Sequence, residues 1–198
     1  LLFPFGLMEN RYLAVLGQRF GGDGSRIVAV REGATETIVY MRRDLPTEPP
    51  VYRLITNGLS MSGPAPGSRR YMSLYAWWPA AVHPDLRKAL LISYGVGVTA
   101  RALTSLPGLE RIDVVDISRD VLEMDRLVQT TTGDPLADRR VRVHVEDGRQ
   151  YLQTTEARYD LITGEPPPPH GAGVVNLYTL EYFRLLRARP VTKPPLGL

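Results

Sequence analysis

The chain has no cysteine, which excludes disulfide scaffolds, thiolate zinc sites and cysteine nucleophiles together. Lysine is almost absent too: only Lys88 and Lys193 occur, and the other basic residues are arginine. Charge of one sign is also scarce. The net charge is +3 and the basic residues are spread along the chain, so nucleic-acid binding is not expected. No apolar run is long enough to span a bilayer. The longest at the start, LLFPFGLM, is broken by Glu9, Asn10 and Arg11 and lacks the basic lead of a signal peptide. A chain that opens on Leu1 in mid-pattern reads as a piece of a longer parent, and membrane segments upstream stay open as a reading. What is present is a length of 198 residues with 43% hydrophobic content, enough for a packed globular core.

From Arg26 to Gly58 the pattern is β: RIVAVREG, ETIVYM and VYRLITNG are short, rich in Val, Ile, Thr and Tyr, and separated by turn or proline-rich pieces. They predict a small antiparallel subdomain over 26–68, after a lead segment over 1–25. RRYMSLYAWWPAAVH (69–83) reads as a helix or a helical pair interrupted at Pro79, with Trp77 and Trp78 expected in the core or at a subdomain contact and His83 ending the helix.

After Pro84 strands and helices alternate. KALLISYG, ERIDVVDIS, RVRVHVEDG and YDLITGE read as strands, TARALTSL and RDVLEMDRLVQ as helices, and NLYTLEYFRLLRAR (176–189) as a final helix. This alternation predicts an α/β doubly wound parallel sheet of Rossmann type over 69–189, with ligands at the carboxyl ends of the strands. The tail PVTKPPLGL (190–198) cannot be a strand, so the sheet is expected to stop after its fourth strand. That leaves an unprotected edge, which predicts dimerisation.

Three features at successive strand ends point to a nucleoside. Gly95 and Gly97 flank a strand-to-helix turn where a ligand can approach the backbone. Asp116 ends the next strand, at the spacing where a carboxylate accepts both ribose hydroxyls. Asp147 and Gly148 follow the third strand, where a carboxylate can accept from a base's exocyclic amine. Singly, a turn and a helix cap explain them; in this order, nucleoside binding explains all three. Ala100 stands where a dinucleotide fingerprint has its third glycine, which disfavours NAD. His144 lies within a strand and reads as structural, and His170 as a solvated loop residue. Pro166 to Pro169 read as a stiff lid segment.

The series REGATETIVY, LITNG, YGVGVT, VVDIS, VEDGRQYL, YDLITGEP and NLYTLEYF resembles the polyamine aminopropyltransferases, spermidine synthase and its relatives, and more nearly the spermidine-synthase-like domains fused behind membrane segments in bacterial proteins. The resemblance runs from about Arg26 to Arg187. It implies a methyltransferase-like fold behind a small β domain, S-adenosylmethionine or its decarboxylated form as donor, a polyamine precursor as acceptor, and no metal. It also implies a cytoplasmic setting, on the inner face of a bacterial membrane if the parent chain carries a tether.

Carried over by residue, Gly95 and Gly97 fall on the family's glycine-rich turn, Asp116 on the ribose acid, and Asp147 with Gly148 on the adenine-contacting pair. Glu165 stands at the catalytic aspartate, and Tyr178 where the segment leading into the last helix approaches the substrate. The amine-binding half departs from the family. Its Gly-Gly-Asp-Gly turn has Val96 in place of the acid, its Tyr-His-Glu segment reads Tyr71-Met72-Ser73, Met61 replaces a glutamine, and Pro168 replaces the second loop aspartate. The expected activity is therefore aminopropyl transfer with an altered acceptor site. A non-catalytic adenosyl-ligand sensor and an S-adenosylmethionine-dependent methyltransferase are the alternatives.

Overall fold

The computed structural model describes residues 8–33, 36–61, 66–83, 85–128, 133–164, 169 and 173–189. The chain divides into two compact units, Leu1–Ser68 and Arg69–Leu198.

In the first unit a π-helical segment, Met8–Leu13, runs into α1, Ala14–Phe20. It is followed by an antiparallel meander of β1 (Arg26–Glu32), β2 (Thr37–Arg43), β3 (Val51–Thr56) and β4 (Leu59–Ser60) in the order β1-β2-β3-β4. β1 carries a bulge between Ile27 and Ala29. The β3–β4 connection is Asn57-Gly58, both with positive φ (49° and 79°), the conformation a two-residue turn of matching twist requires. The Asn57 side chain also accepts from the Thr37 amide at 2.9 Å, which ties the turn to β2. β2 is the central strand in burial as in order: Ile38, Val39, Tyr40 and Met41 are all buried. Val39, Met41, Ile55 and Leu16 of α1 form the core, with Tyr12, Leu13, Phe20 and Ile27 around them. The short β4 was not anticipated from sequence, because two residues carry no periodicity.

The second unit holds α2 (Pro66–Val82, its first turn crossing the unit boundary), β5 (Lys88–Ile92), α3 (Val98–Thr104), β6 (Arg111–Asp116), α4 (Arg119–Val128), β7 (Val141–Val145), α5 (Gly148–Thr154), β8 (Leu161–Gly164) and α6 (Leu180–Arg187). All sheet pairings are parallel, in the order β7-β6-β5-β8, and the fold is the α/β methyltransferase-like one. Alternation splits the central strands between two faces. Leu90, Ile92 and Val115 pack with Tyr151, Leu152, Tyr159 and Tyr182 from the α5/α6 side. Ala89, Leu91, Ile112 and Val114, also buried, point the other way. Among the described residues β7 and β8 are the outer strands.

Three expectations are corrected. The helix over 69–83 is not broken at Pro79; α2 is continuous through it. Proline removes the N–H that would bond Tyr75 O, and the Thr163 hydroxyl on β8 supplies that donor at 3.1 Å. The helix then ends with the His83 amide on Pro79 O. Trp77 and Trp78 are not core residues: they are 48% and 69% exposed. The final helix begins at Leu180, not at Asn176, because Thr179 adopts an extended conformation and caps it, its hydroxyl accepting from the Tyr182 amide. A 3-10 segment, Val174–Tyr178, precedes it. No described helix is long and apolar enough to cross a membrane.

Candidate functional site

The carboxyl ends of the parallel strands form one rim, and Gly95, Gly97, Asp116, Asp147 and Gly148 follow the ends of β5, β6 and β7 along it. The backbone after β5 follows an alternating path: Ser93, Gly95 and Gly97 have φ of 72°, 61° and 73°. Glycine suits two of these positions; Ser93 is a non-glycine residue held in the left-handed region, a strain of order 1–3 kcal/mol that its surroundings must impose. The Ser93 amide bonded to Val115 O at 3.0 Å contributes to that constraint. Val96, between the glycines, is buried.

Asp116 ends β6 beside this turn. One carboxylate oxygen accepts from the Tyr94 amide at 2.7 Å and the other from the Ser118 amide at 2.8 Å. The acid is thereby fixed to the backbone residue that precedes Gly95. The Ser118 hydroxyl in turn accepts from the Val121 amide at 3.1 Å, at the start of α4, so the helix cap there is Ser118 and not Asp116.

Asp147 caps α5, its Oδ1 accepting from the Gln150 amide at 2.9 Å. Gly148 is buried, and a Cβ built there would come within 2.5 Å of Ile92 Cγ2. Both residues therefore have structural reasons to be what they are, in addition to any ligand. Tyr178 is 43% exposed in the 3-10 segment. Burial, followed by the negative charge of Asp147 and the influence of Tyr178, pushes the Tyr182 phenol up to about 12. Arg149 of α5 donates to Asn176 O and Thr179 Oγ1 at 3.3 Å each, which ties that segment to the rim. Gly164 ends β8 with no room for a side chain: a Cβ would lie 2.2 Å from Ile92 O. Glu165, Pro166 to Pro168 and His170 lie outside the described residues.

Sequence reasoning missed a buried polar cluster on the α5/α6 face. Asp113, fully buried on β6, pairs with Arg111 Nε at 2.8 Å and His144 Nε2 at 3.1 Å and accepts from the Tyr159 hydroxyl at 2.7 Å. Tyr151 and Tyr159 share a further hydroxyl bond at 2.7 Å. The available signal was an aspartate between Ile112 and Val114 in a buried strand, which needs partners to be tolerated there. His144 is structural, as expected. Asp113 pairs in register with Leu90 and Arg142, short of the strand ends, so this cluster braces the sheet and is not part of the rim.

Residues 69–189 match the family model of the spermine/spermidine synthase domain. A polyamine aminopropyltransferase of Lachnoclostridium phytofermentans is 33% identical over 113 residues, which cover 57% of this chain and 40% of that protein. One from Clostridium perfringens strain SM101 is 34% identical with the same coverage. The chain thus spans well under half the length of these curated relatives. In three dimensions it superposes on a spermidine synthase in complex with the transition-state analogue AdoDATO at a TM-score of 0.72, with 19% identity and coverage of 83% of this chain and 55% of that one. The spermidine synthase of Thermotoga maritima gives 0.68, also at 19% identity, covering 83% and 54%. At this identity the likeness shows the fold.

Proposed function

The chain belongs to the spermine/spermidine synthase domain family, and from that premise we propose that its second unit binds an adenosyl-type donor, S-adenosylmethionine or its decarboxylated form, for aminopropyl transfer. The observation that carries the reading is the hydrogen bond from the Tyr94 amide to Asp116. It joins the glycine turn and the acid, so the backbone approach and the hydroxyl acceptor act as one preorganised unit. A carboxylate has about four acceptor sites, which allows ribose hydroxyls to be accepted alongside amides. Asp147, Gly148 and Tyr178 extend the proposed donor and substrate contacts along the rim.

In aminopropyl transfer the neutral amine nitrogen attacks the carbon beside the donor's sulfonium. The C–N bond forms as the C–S bond breaks, the sulfur leaves as a neutral thioether nucleoside, and the amine's proton passes to a base. Glu165 is the proposed base. An amine is protonated near neutral pH, so carboxylates must hold it and take its proton.

That half of the site is altered. Val96 is apolar and buried where the family pattern has an acid, and Met72 and Ser73 replace its His-Glu. Losing one partner of a buried charge pair costs about 2–5 kcal/mol, against about 8 kcal/mol for a micromolar complex. Ordinary diamines are therefore expected to bind weakly, and Val96 favours a second reading, an adenosyl-ligand-binding module without turnover.

Calorimetric titration with S-adenosylmethionine, its decarboxylated form and methylthioadenosine, with and without a panel of amines, tests both. Binding of the decarboxylated donor that strengthens with one amine supports transfer and identifies the acceptor. Donor binding with no amine effect and no turnover supports the module, and binding of none of the three overturns the pocket. Asp116→Asn is expected to weaken nucleoside binding by about ten- to a hundredfold, since hydrogen bonds to charged groups contribute about 1.5–3 kcal/mol. Glu165→Gln is expected to abolish any turnover and leave that affinity nearly unchanged.

A further inference from the structure

α2 begins at the rim and descends from it. The Thr99 hydroxyl, at the start of α3, donates to Met72 O at 3.1 Å. One turn later the Thr163 hydroxyl, near the end of β8, donates to Tyr75 O. The helix then runs down to the opposite end of the sheet, where β5 starts at Lys88. Its first turns therefore stand between the glycine turn after β5 and the end of β8, and they carry Arg69 and Arg70. Arg69 continues the inward stripe of Met72 and Ala76, three and seven positions before them. Side chains lean toward the amino end of their helix, so that of Arg69 leans past the end of the sheet. Arg70 beside it is exposed.

Charge is sorted along the rim as a result. In the strand order β7-β6-β5-β8, Asp147 and Asp116 follow the first two strands and the buried Val96 follows the third. Over β5 and β8 the balance reverses: α2, the turn 93–97 and the stretch 161–180 supply one acid in sequence, Glu165, against two arginines. Ser73, at the acid of the family pattern, is turned back on its own helix, its hydroxyl donating to Arg69 O at 2.9 Å.

We propose, resting on the donor reading above, that this half of the rim selects the carboxylated donor: Arg69 and Arg70 hold the carboxylate of S-adenosylmethionine and disfavour the decarboxylated form. A nucleoside whose ribose meets Asp116 and whose base meets Asp147 lies over β6 and β7, so the tail on its sulfur extends over β5 and β8 toward the arginines. Sulfonium and ammonium leave the decarboxylated donor doubly positive. The carboxylate lowers that charge and offers the planar acceptor that a guanidinium fork matches. A diamine, doubly protonated near neutral pH, meets the same opposing charge, which agrees with the missing acids at Val96 and Ser73.

The test is calorimetric titration of the chain with S-adenosylmethionine, its decarboxylated form and methylthioadenosine, which lacks the tail. The expected result is about tenfold tighter binding of S-adenosylmethionine than of the decarboxylated form, roughly what one hydrogen bond to a charged group supplies. That preference should shrink as salt is raised. Replacing both arginines, Arg69→Gln with Arg70→Gln, should bring the two donors to equal affinity and leave methylthioadenosine unaffected. If the double variant does not fold, Arg70→Gln alone, at an exposed position, is read in the same way.

Equal or tighter binding of the decarboxylated form, by a chain that binds methylthioadenosine, overturns the inference and leaves the donor reading standing. A preference for S-adenosylmethionine that survives the substitutions also overturns it, because another group then holds the carboxylate. Binding of none of the three nucleosides overturns the donor reading and the inference with it.

Discussion

The hydroxyl of Thr163 donates to the carbonyl of Tyr75 at 3.1 Å, the acceptor that Pro79 leaves without a helical donor. A strand on one element thus completes the hydrogen bonding of a helix on another, and α2 stays continuous across a proline.

Thr163→Val keeps the shape and removes the donor. The expected loss is about 0.5–1.5 kcal/mol, the net contribution of an ordinary hydrogen bond at a part-buried site, read as a lower midpoint in denaturant at unchanged slope. In a Pro79→Ala background the restored amide supplies the bond, and the same substitution should cost less than half as much. Equal costs in both backgrounds would show that the bond is not what Thr163 contributes.

Ile92 is approached closely by two glycines, and they should differ in tolerance. A Cβ at 148 meets the Ile92 side chain at 2.5 Å, whereas one at 164 meets the Ile92 carbonyl oxygen at 2.2 Å. Side chains shift more readily than a paired strand. Gly148→Ala should cost about 1–3 kcal/mol, the usual penalty of overpacking, and Gly164→Ala more, with thermal unfolding giving the order.

Asp138 predicts an acid limb. Three hydrogen bonds from Arg140, two through its guanidinium and one through its amide, hold the carboxyl down at about 2 from the ordinary 3.8. A depressed folded value contributes stability that is complete above pH about 4 and lost as pH falls from 4 through 2. The size is about 2 kcal/mol. Asp138→Asn should flatten unfolding free energy against pH in that window. Arg140 also donates to the carbonyls of Thr104, the last residue of α3, and of Leu106 and Leu109 just beyond it, so its own replacement should cost more than that of Asp138.

Tyr159 predicts an alkaline limb of opposite sign. Burial, then the bonds to Tyr151 and Asp113, push its phenol above the ordinary value of 10. A raised folded value contributes stability that is complete below pH about 10 and lost as pH climbs through the folded value. Tyr159→Phe should cost about 1.5–3 kcal/mol at neutral pH, because a buried carboxylate loses a donor, and should make the decline above pH 10 shallower.

Much of this molecule was legible because its local signals agree with its fold. Parallel strands buried on both faces read as runs of Val, Leu and Ile, and the glycine turn and Asp116 follow from strand-end chemistry. What was not legible depended on distant partners. Nothing near Pro79 discloses that Thr163 will supply its missing donor. Nothing in RIDVVD names His144 and Tyr159 as the groups that make Asp113 tolerable. Trp77 and Trp78 look like core in sequence, since hydrophobicity does not say which side of a helix the rest of the chain covers. The joining of Asp116 to the turn was hidden for a different reason: its donor is an amide, which every residue but proline carries.

The consequence reaches experiments on the rim. Tyr94 holds Asp116 through its N–H, and Ser118 holds the other oxygen in the same way, so alanine scanning leaves both links intact and reports instead on the buried Tyr94 ring and the Ser118 cap of α4. Only an amide-to-ester exchange in the main chain, at 94 or 118, would cut one link while keeping every side chain in place.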